Sequence, residues 1–304
     1  MTRSDSPVNM SHSVHDRLMA LAKERNRPFN ELLQYFAMER FLYRLSKSPA
    51  GRHFMLKGAL LLAARADLPF RPTRDIDLMG KTDNSEDNVR QLLQSACLQS
   101  VPDDGIRFDA DSMEIEGIKQ SADYPGVRAR FRGFLGRARI AMQVDIGFGD
   151  VVVPAPETID YPVLLGMAAP RLRAYPLETA IAEKLHAMVH LGELNSRMKD
   201  FLDVWILCRH DAVKSGELLK SIHATFAHRK TNIPAEPVCF SPGFAKDKQP
   251  QWAAMVRKNP DSPAPRDLDK VLVDIWAVIR PIFEELSQGA GGGGRPSRNA
   301  RRLT

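Results

Sequence analysis

The segment Asp75-Ile76-Asp77-Leu78 constrains this 304-residue chain more than any other. Alternate residues of a β-strand share a face. A strand here would bury Ile76 and Leu78 and present Asp75 and Asp77 side by side on the opposite face. Two adjacent carboxylates repel each other unless a cation lies between them. Hard divalent cations such as Mg2+ take oxygen ligands of this kind and leave positions open for phosphate oxygens. Seventeen positions before Asp75 stands Gly58, in Lys57-Gly58-Ala59-Leu60, where a turn opens a short apolar helix. Backbone N–H groups at such a turn can meet phosphate oxygens. Together these pieces point to metal-assisted chemistry on a nucleotide.

A third carboxylate lies in Gln143-Val144-Asp145-Ile146-Gly147-Phe148, again flanked by apolar residues. If that strand runs beside Ile76, three carboxylates converge, and three can hold two metal ions. The alternative for Asp145 is a pairing with an arginine. Further along, a helix over Leu177–Leu191 offers Lys184, and the next helical segment offers Arg197, Lys199 and Asp200. A lysine supplies a compact positive charge for a phosphate. The plainer readings are that the Lys184 stem lies along its helix face, and that Arg197, Lys199, Asp200 and Asp203 form a surface charge network. His186 and His190 stand four apart, a zinc-compatible spacing, but no third ligand at metal spacing accompanies them.

Hydrophobic periodicity sets the rest. Val14 to Ser46 reads as two helices split at Pro28. Short strands are expected over His53–Leu56 and Asp75–Met79, with a helix from Gly58 to Arg65 between them. Asn84-Ser85-Glu86-Asp87 reads as the start of a helix reaching Gln99. Ile106 to Gly149 is strand-like, with Arg128–Leu135 and Ala138–Phe148 paired around Gly136-Arg137. Val151–Pro170 reads as a crossover loop. Helices follow near Leu177–Leu191, Lys199–His210 and Glu217–Ala227. Thr231–Pro265, repeatedly interrupted by proline, reads as loop with short helices, and Arg266–Ser287 as a last helix. The expected organisation is α+β: a disordered start over 1–13, a mixed-sheet α/β domain over 14–160, an all-helical domain over 161–288, and a flexible Gly/Arg tail over 289–304.

The net charge is +6, but Arg295, Arg298, Arg301 and Arg302 of the tail account for four of those charges. The body is left near +2, so charge alone does not single out a polyanionic partner. Cys97, Cys208 and Cys239 are widely spaced and odd in number, which argues for buried thiols rather than a disulfide framework. No signal peptide and no membrane-spanning run of about 18 apolar residues is evident. A cytoplasmic location is expected.

Several pieces together resemble the AbiEii/AbiGii family of nucleotidyltransferases, the toxin half of a two-gene toxin–antitoxin module. They are Arg40 to Leu45, Phe54 to Leu61, Arg71 to Leu78, Val144 to Gly147, Glu178 to Lys184 and Arg197 to Asp203. The resemblance runs from about residue 14 to about 285, and its strength lies in the order and spacing of the pieces. It implies a fold like the DNA polymerase beta class, with a nucleotidyltransferase-like mixed sheet flanked by helices and a helical C-terminal half. It implies NTP as cosubstrate and Mg2+, as two ions, as metal. The implied acceptor is RNA, the 3′ end of tRNA above all, so that translation is blocked. A winged-helix antitoxin that forms no stable complex is the implied partner.

By the same resemblance Asp75, Asp77 and Asp145 bind metal, Lys184 holds the triphosphate and Asp200 belongs to the second motif of the site. Lys57, Gly58, Ala59, Arg74, Arg197 and Lys199 border the nucleotide. This chain departs from its relatives at Lys57-Gly58-Ala59, where a serine or threonine hydroxyl commonly follows the glycine. That departure motivates a second reading, a catalytically silent nucleotide- or RNA-binding module. A nucleotidyltransferase acting on a protein is a third. A standard kinase ranks low, since neither G-x-G-x-x-G nor G-x-x-x-x-G-K-[ST] occurs.

Overall fold

A computed structural model describes residues 9–65, 72–121, 124–259 and 262–290. Arg71 and the Gly/Arg tail beyond residue 290 lie outside the described residues. The chain divides into two compact units, Met1–Pro176 and Leu177–Thr304.

The first unit opens with helix α1 (Met10–Glu24), so Met10–Ser13, expected to be disordered, are helical. The Asn9 side chain caps this helix by accepting from the His12 N–H, which satisfies one of the donors a helix start leaves unpaired. Helix α2 (Phe29–Lys47) follows Pro28, with Glu31 in its first turn and Arg44 and Lys47 in its last, the polarity that the helix dipole favours. Then come β1 (Phe54–Lys57), α3 (Gly58–Ala63), β2 (Ile76–Gly80), α4 (Glu86–Cys97), β3 (Ile106–Ser121), β4 (Tyr124–Leu135), β5 (Ala138–Phe148), β6 (Glu157–Asp160) and β7 (Arg171–Ala174). The α+β expectation holds. One sheet runs in the order β3-β4-β5-β2-β1-β7-β6. The β2–β5 and β1–β7 pairs are parallel and the others antiparallel.

The stretch Val151–Pro170 is not only a crossover loop. It contains β6, which pairs with β7 and extends the sheet beyond β1. The first unit therefore continues to Pro176. Strands this short, with exposed residues on both faces, leave no alternating pattern to detect.

Alternation along β4 and β5 sets the core. Val127, Ala129, Phe131 and Leu135, with Ile140, Met142, Val144 and Ile146, are buried on one face. Phe41 of α2 packs there against Phe131 and Phe108, with ring centroids 5.2 and 5.6 Å away. Helix α2 is buried on every side from Leu32 to Leu45 except at Gln34, and this includes Glu39, Arg40 and Arg44. Buried charges persist only when paired and hydrogen-bonded. Arg44 holds Asp104 through both nitrogens, at 2.7 and 2.9 Å. Arg40 pairs with Glu39 at 2.8 Å, and Glu39 accepts the Leu164 N–H at 2.7 Å. Burial pushes Glu39 up to about 7, against the opposing pull of Arg40.

The second unit is helical: α5 (Leu177–Leu191), α6 (Met198–Leu207), α7 (Ser215–His228), α8 (Pro242–Arg257) and α9 (Leu268–Ala290). Helix α8, 16 residues long, falls where loop with short helices was expected. Its first turn is fixed by Pro242 at the start and by Ser241, whose hydroxyl accepts the Phe244 N–H at 3.2 Å. Trp252, fully buried, donates to the Pro265 carbonyl at 2.9 Å, and Gln249 bonds both Arg266 and Leu268. These contacts outweigh the loss of one helical donor at Pro250. Among the described residues no helix is long and apolar enough to cross a membrane.

Candidate active site

The strand register places four residues in one row across four neighbouring strands. Lys57 of β1 lies opposite Asp77 of β2, Asp77 beside Asp145 of β5, and Asp145 opposite Arg128 of β4. At about 4.8 Å between strands the row spans about 14 Å. Paired residues share a face, so all four side chains rise from the face opposite the α2 core. Ile76, Leu78, Val144 and Ile146, each no more than 1% exposed, anchor the two central strands from below. Asp75 stands one residue before β2, on the same face as Asp77.

Asp75, Asp77 and Asp145 bring one carboxylate oxygen each to within 4.8 Å of one another. Among the described residues no other group of three His, Cys, Asp or Glu side chains meets this way. Three hard oxygen donors so close are a suitable set for Mg2+ or Mn2+. Asp75 and Asp145 are positioned from outside the cluster. Thr73 donates its hydroxyl to Asp75, and the Thr73 N–H in turn donates to the Tyr35 hydroxyl of α2 at 2.7 Å. Arg128 holds Asp145 through two bonds, Nε to Oδ1 at 2.8 Å and Nη2 to Oδ2 at 2.7 Å, and Gln143 adds a longer one at 3.3 Å. The Asp145 carboxylate beside it raises the Arg128 pKa further above its ordinary value. The pairing of Asp145 with an arginine and its membership of the carboxylate cluster thus hold together.

Gly58 has φ of +67°, and a Cβ placed on it would lie 2.0 Å from Asp77 Oδ2. Only glycine allows the backbone of this turn to approach the carboxylate so closely. Helix α3, at six residues, is too short for its dipole to matter much; the turn contributes its proximity. Lys57 reaches Asp150 at 3.3 Å and lies over the Tyr175 ring. Ala59 is buried. Arg74 is exposed immediately before Asp75.

The second unit holds the remaining expected residues in a cluster of its own. Lys184 of α5 bridges Asp200 and Asp203 of α6 at 2.7 and 2.9 Å, and Arg197 meets Asp200 at 2.7 Å. Asp203 is fully buried and Asp200 nearly so, which departs from a surface charge network. Lys199 is exposed. The ammonium of Lys184 is already shared between two carboxylates, so it pins α5 to α6.

The sequence profile described as "Nucleotidyl transferase AbiEii toxin, Type IV TA system" matches residues 40–274. The chain belongs to the AbiEii nucleotidyl transferase toxin family. A crystal structure provisionally titled a nucleotidyltransferase from H. pylori is similar at a TM-score of 0.43 and 18% identity, covering 85% of this chain and 96% of that one. JHP933 from Helicobacter pylori is similar at a TM-score of 0.40 and 15% identity, covering 95% and 97%. Likenesses this loose carry no argument about chemistry. No curated protein matches the chain.

In this AbiEii-family chain several residues around the carboxylates escaped the sequence reading. Thr73, Tyr35 and Asp150 act through contacts that no local pattern announces. Arg128 did leave a signal: Arg128, Arg130 and Arg132 alternate with apolar residues, which marks an arginine-bearing strand face. The histidine pair is otherwise engaged. His186 meets Thr231 at 2.8 Å and Arg229 at 3.1 Å and stacks on His190. Burial pushes Cys97, Cys208 and Cys239 up to about 12, so none is a thiolate nucleophile at neutral pH.

Proposed function

We propose that this AbiEii-family protein is a Mg2+-dependent nucleotidyltransferase of the EC 2.7.7 type that moves a nucleotide from an NTP onto RNA. The target is the 3′ acceptor end of tRNA, and the consequence is a block of translation. The observation that carries this reading is the convergence of Asp75, Asp77 and Asp145 beside a glycine turn. In this reading Asp75, Asp77 and Asp145 hold two Mg2+ ions. When bound, the ions supply neutralisation of the phosphate oxygens and of the leaving pyrophosphate.

The rest falls to the chain's own side chains. Gly58 lets the polyphosphate approach the backbone, with Lys57 and Ala59 on either side of it, and Arg74 adds charge at the exposed entrance. Thr73 and Arg128 fix the directions of Asp75 and Asp145 in the metal-free protein. Lys184, Arg197, Lys199 and Asp200 make up the second motif, with Lys184 as the residue assigned to the triphosphate. The partner is a winged-helix antitoxin that acts without a stable complex, and the setting is the cytoplasm.

Sequencing of RNA 3′ ends from cells expressing the wild-type chain or Asp77→Asn tests this reading. Untemplated nucleotides on tRNA 3′ ends, absent with Asp77→Asn, are expected. Growth arrest by both proteins with unaltered RNA ends would favour the silent binding module. Label from NTP found in protein instead of RNA would redirect the activity to a protein acceptor.

A further inference from the structure

The sheet order makes the chain travel after β5. Strand β5 lies between β4 and β2, while the next strand, β6, closes the sheet beyond β1 and β7. The crossing begins at Gly149, whose φ of +83° is a turn that a side chain would strain. The residue after it, Asp150, meets Lys57 at the end of β1, with Lys57 Nζ 3.3 Å from Asp150 Oδ2. The two stand 93 positions apart in the chain.

The pair is enclosed. The Lys57 side chain is 12% exposed and that of Asp150 6%. The ammonium also lies over the ring of Tyr175, 5.3 Å from its centroid. Tyr175 is fully buried, and its backbone N–H donates to the Leu56 carbonyl at 3.0 Å. A lysine stem is long and flexible. Here a carboxylate and an aromatic face both hold its tip.

We infer, within the transferase reading above, that Asp150 is a positioning residue for the donor nucleotide: through Lys57 it holds the Lys57-Gly58 turn where the polyphosphate meets the backbone. Three observations carry it.

The first is tolerance. Lys57 stands opposite Asp77 in the strand register, and a Cβ on Gly58 would lie 2.0 Å from Asp77 Oδ2. The turn is thus packed against a carboxylate of the cluster with no slack. A small displacement of it changes what a phosphate can reach.

The second is the means of anchoring. Of Lys57, Gly58 and Ala59, only Lys57 has a polar side chain. Helix α3, which the turn opens, has six residues and no side-chain bond capping its start. The tether on Lys57 supplies the hold that a cap would otherwise give.

The third is shared origin. Strand β5 runs parallel to β2 and sets Asp145 beside Asp77. Five residues after Asp145 the same segment delivers Asp150 to Lys57. One stretch of chain therefore sets the third carboxylate and the turn relative to Asp77.

Binding of a fluorescent NTP analogue to the full chain with Mg2+, together with KM and kcat for transfer, tests the role. Asp150→Asn keeps the shape of the side chain and removes its charge. Its NTP binding should weaken about tenfold and its KM rise in step, with kcat little changed. Asp150→Glu, which keeps a carboxylate, should recover most of the affinity. Lys57→Gln should weaken NTP binding by a similar factor, and adding Asp150→Asn to it should cost nothing further, since Asp150 acts through Lys57. Wild-type NTP affinity in Asp150→Asn, with only a lowered urea midpoint, makes the pair a staple of the fold and overturns the positioning role while leaving the transferase reading intact. Additive losses in the double variant overturn it as well. A wild-type chain that binds no NTP overturns both the role and the transferase reading.

Discussion

At the scale of single residues, the account turns on how Asp145 is held. Its carboxylate is both a neighbour of Asp75 and Asp77 and the acceptor of two bonds from Arg128. A cation arriving among the acids competes with that guanidinium for the same oxygens. Arg128→Met removes the competitor and takes a positive charge away from the three carboxylates. We expect Mn2+ to bind the variant about tenfold more tightly by calorimetry, while the metal-free protein loses roughly 3 kcal/mol of stability, because Asp145 is left buried without its partner. Weaker Mn2+ binding by the variant would show that Arg128 supports the metal rather than competing with it. The pair Asp75 and Asp77 was legible in the sequence because strand alternation is a local rule. The third acid was legible as a strand residue between apolar neighbours. The grip of Arg128 was not, because it depends on which residues face each other across β4 and β5, and register is a tertiary property. Nor was the closeness of Gly58 to Asp77, which follows from the antiparallel pairing of β1 with β2.

At the scale of elements, two helices carry buried charge and behave differently. In α2, burial raises Glu39 from 4.5 to about 7. An acid with a raised native pKa binds more protons folded than unfolded between those two values. Its contribution to stability is therefore lost as pH rises from about 4.5 to about 7, and stays lost above that. Glu39→Gln should flatten this part of the pH dependence, seen as a smaller difference between urea midpoints at the two ends of the window. An unchanged difference would contradict the assignment. In α5, Lys184 is shared by Asp200 and Asp203, both deeply buried. Lys184→Met removes the cation between those two acids, with Asp200 keeping Arg197, and should cost about 3–5 kcal/mol in urea unfolding. A variant as stable as the wild type would show that the bridge contributes little to the helical unit. Long periodic segments such as α2 and α5 were readable from spacing. Helix α8 was not, because its prolines signal a break while the contacts that overrule them, through Trp252 and Gln249, come from Pro265 and from Leu268 at the start of α9. Strands β6 and β7 were missed because, unlike the apolar β1, they are mostly exposed or half-buried and carry no apolar pattern.

At the scale of the whole molecule, the mixed sheet followed by helices was foreseen, and the two compact units divide at Pro176, where β6 and β7 have completed the first unit's sheet. The net charge of +6 says little about partners, because much of it sits in the arginines near the chain end. The local arrangement says more: three carboxylates converge on the sheet face with a glycine turn beside them. The most direct measurement is transfer itself. Purified protein with Mg2+, each labelled NTP in turn and total tRNA should place label on RNA. Asp77→Asn and an excess of EDTA should each abolish it. No incorporation from any of the four NTPs, or equal incorporation by wild type and Asp77→Asn, would contradict the claim that these three acids carry the reaction.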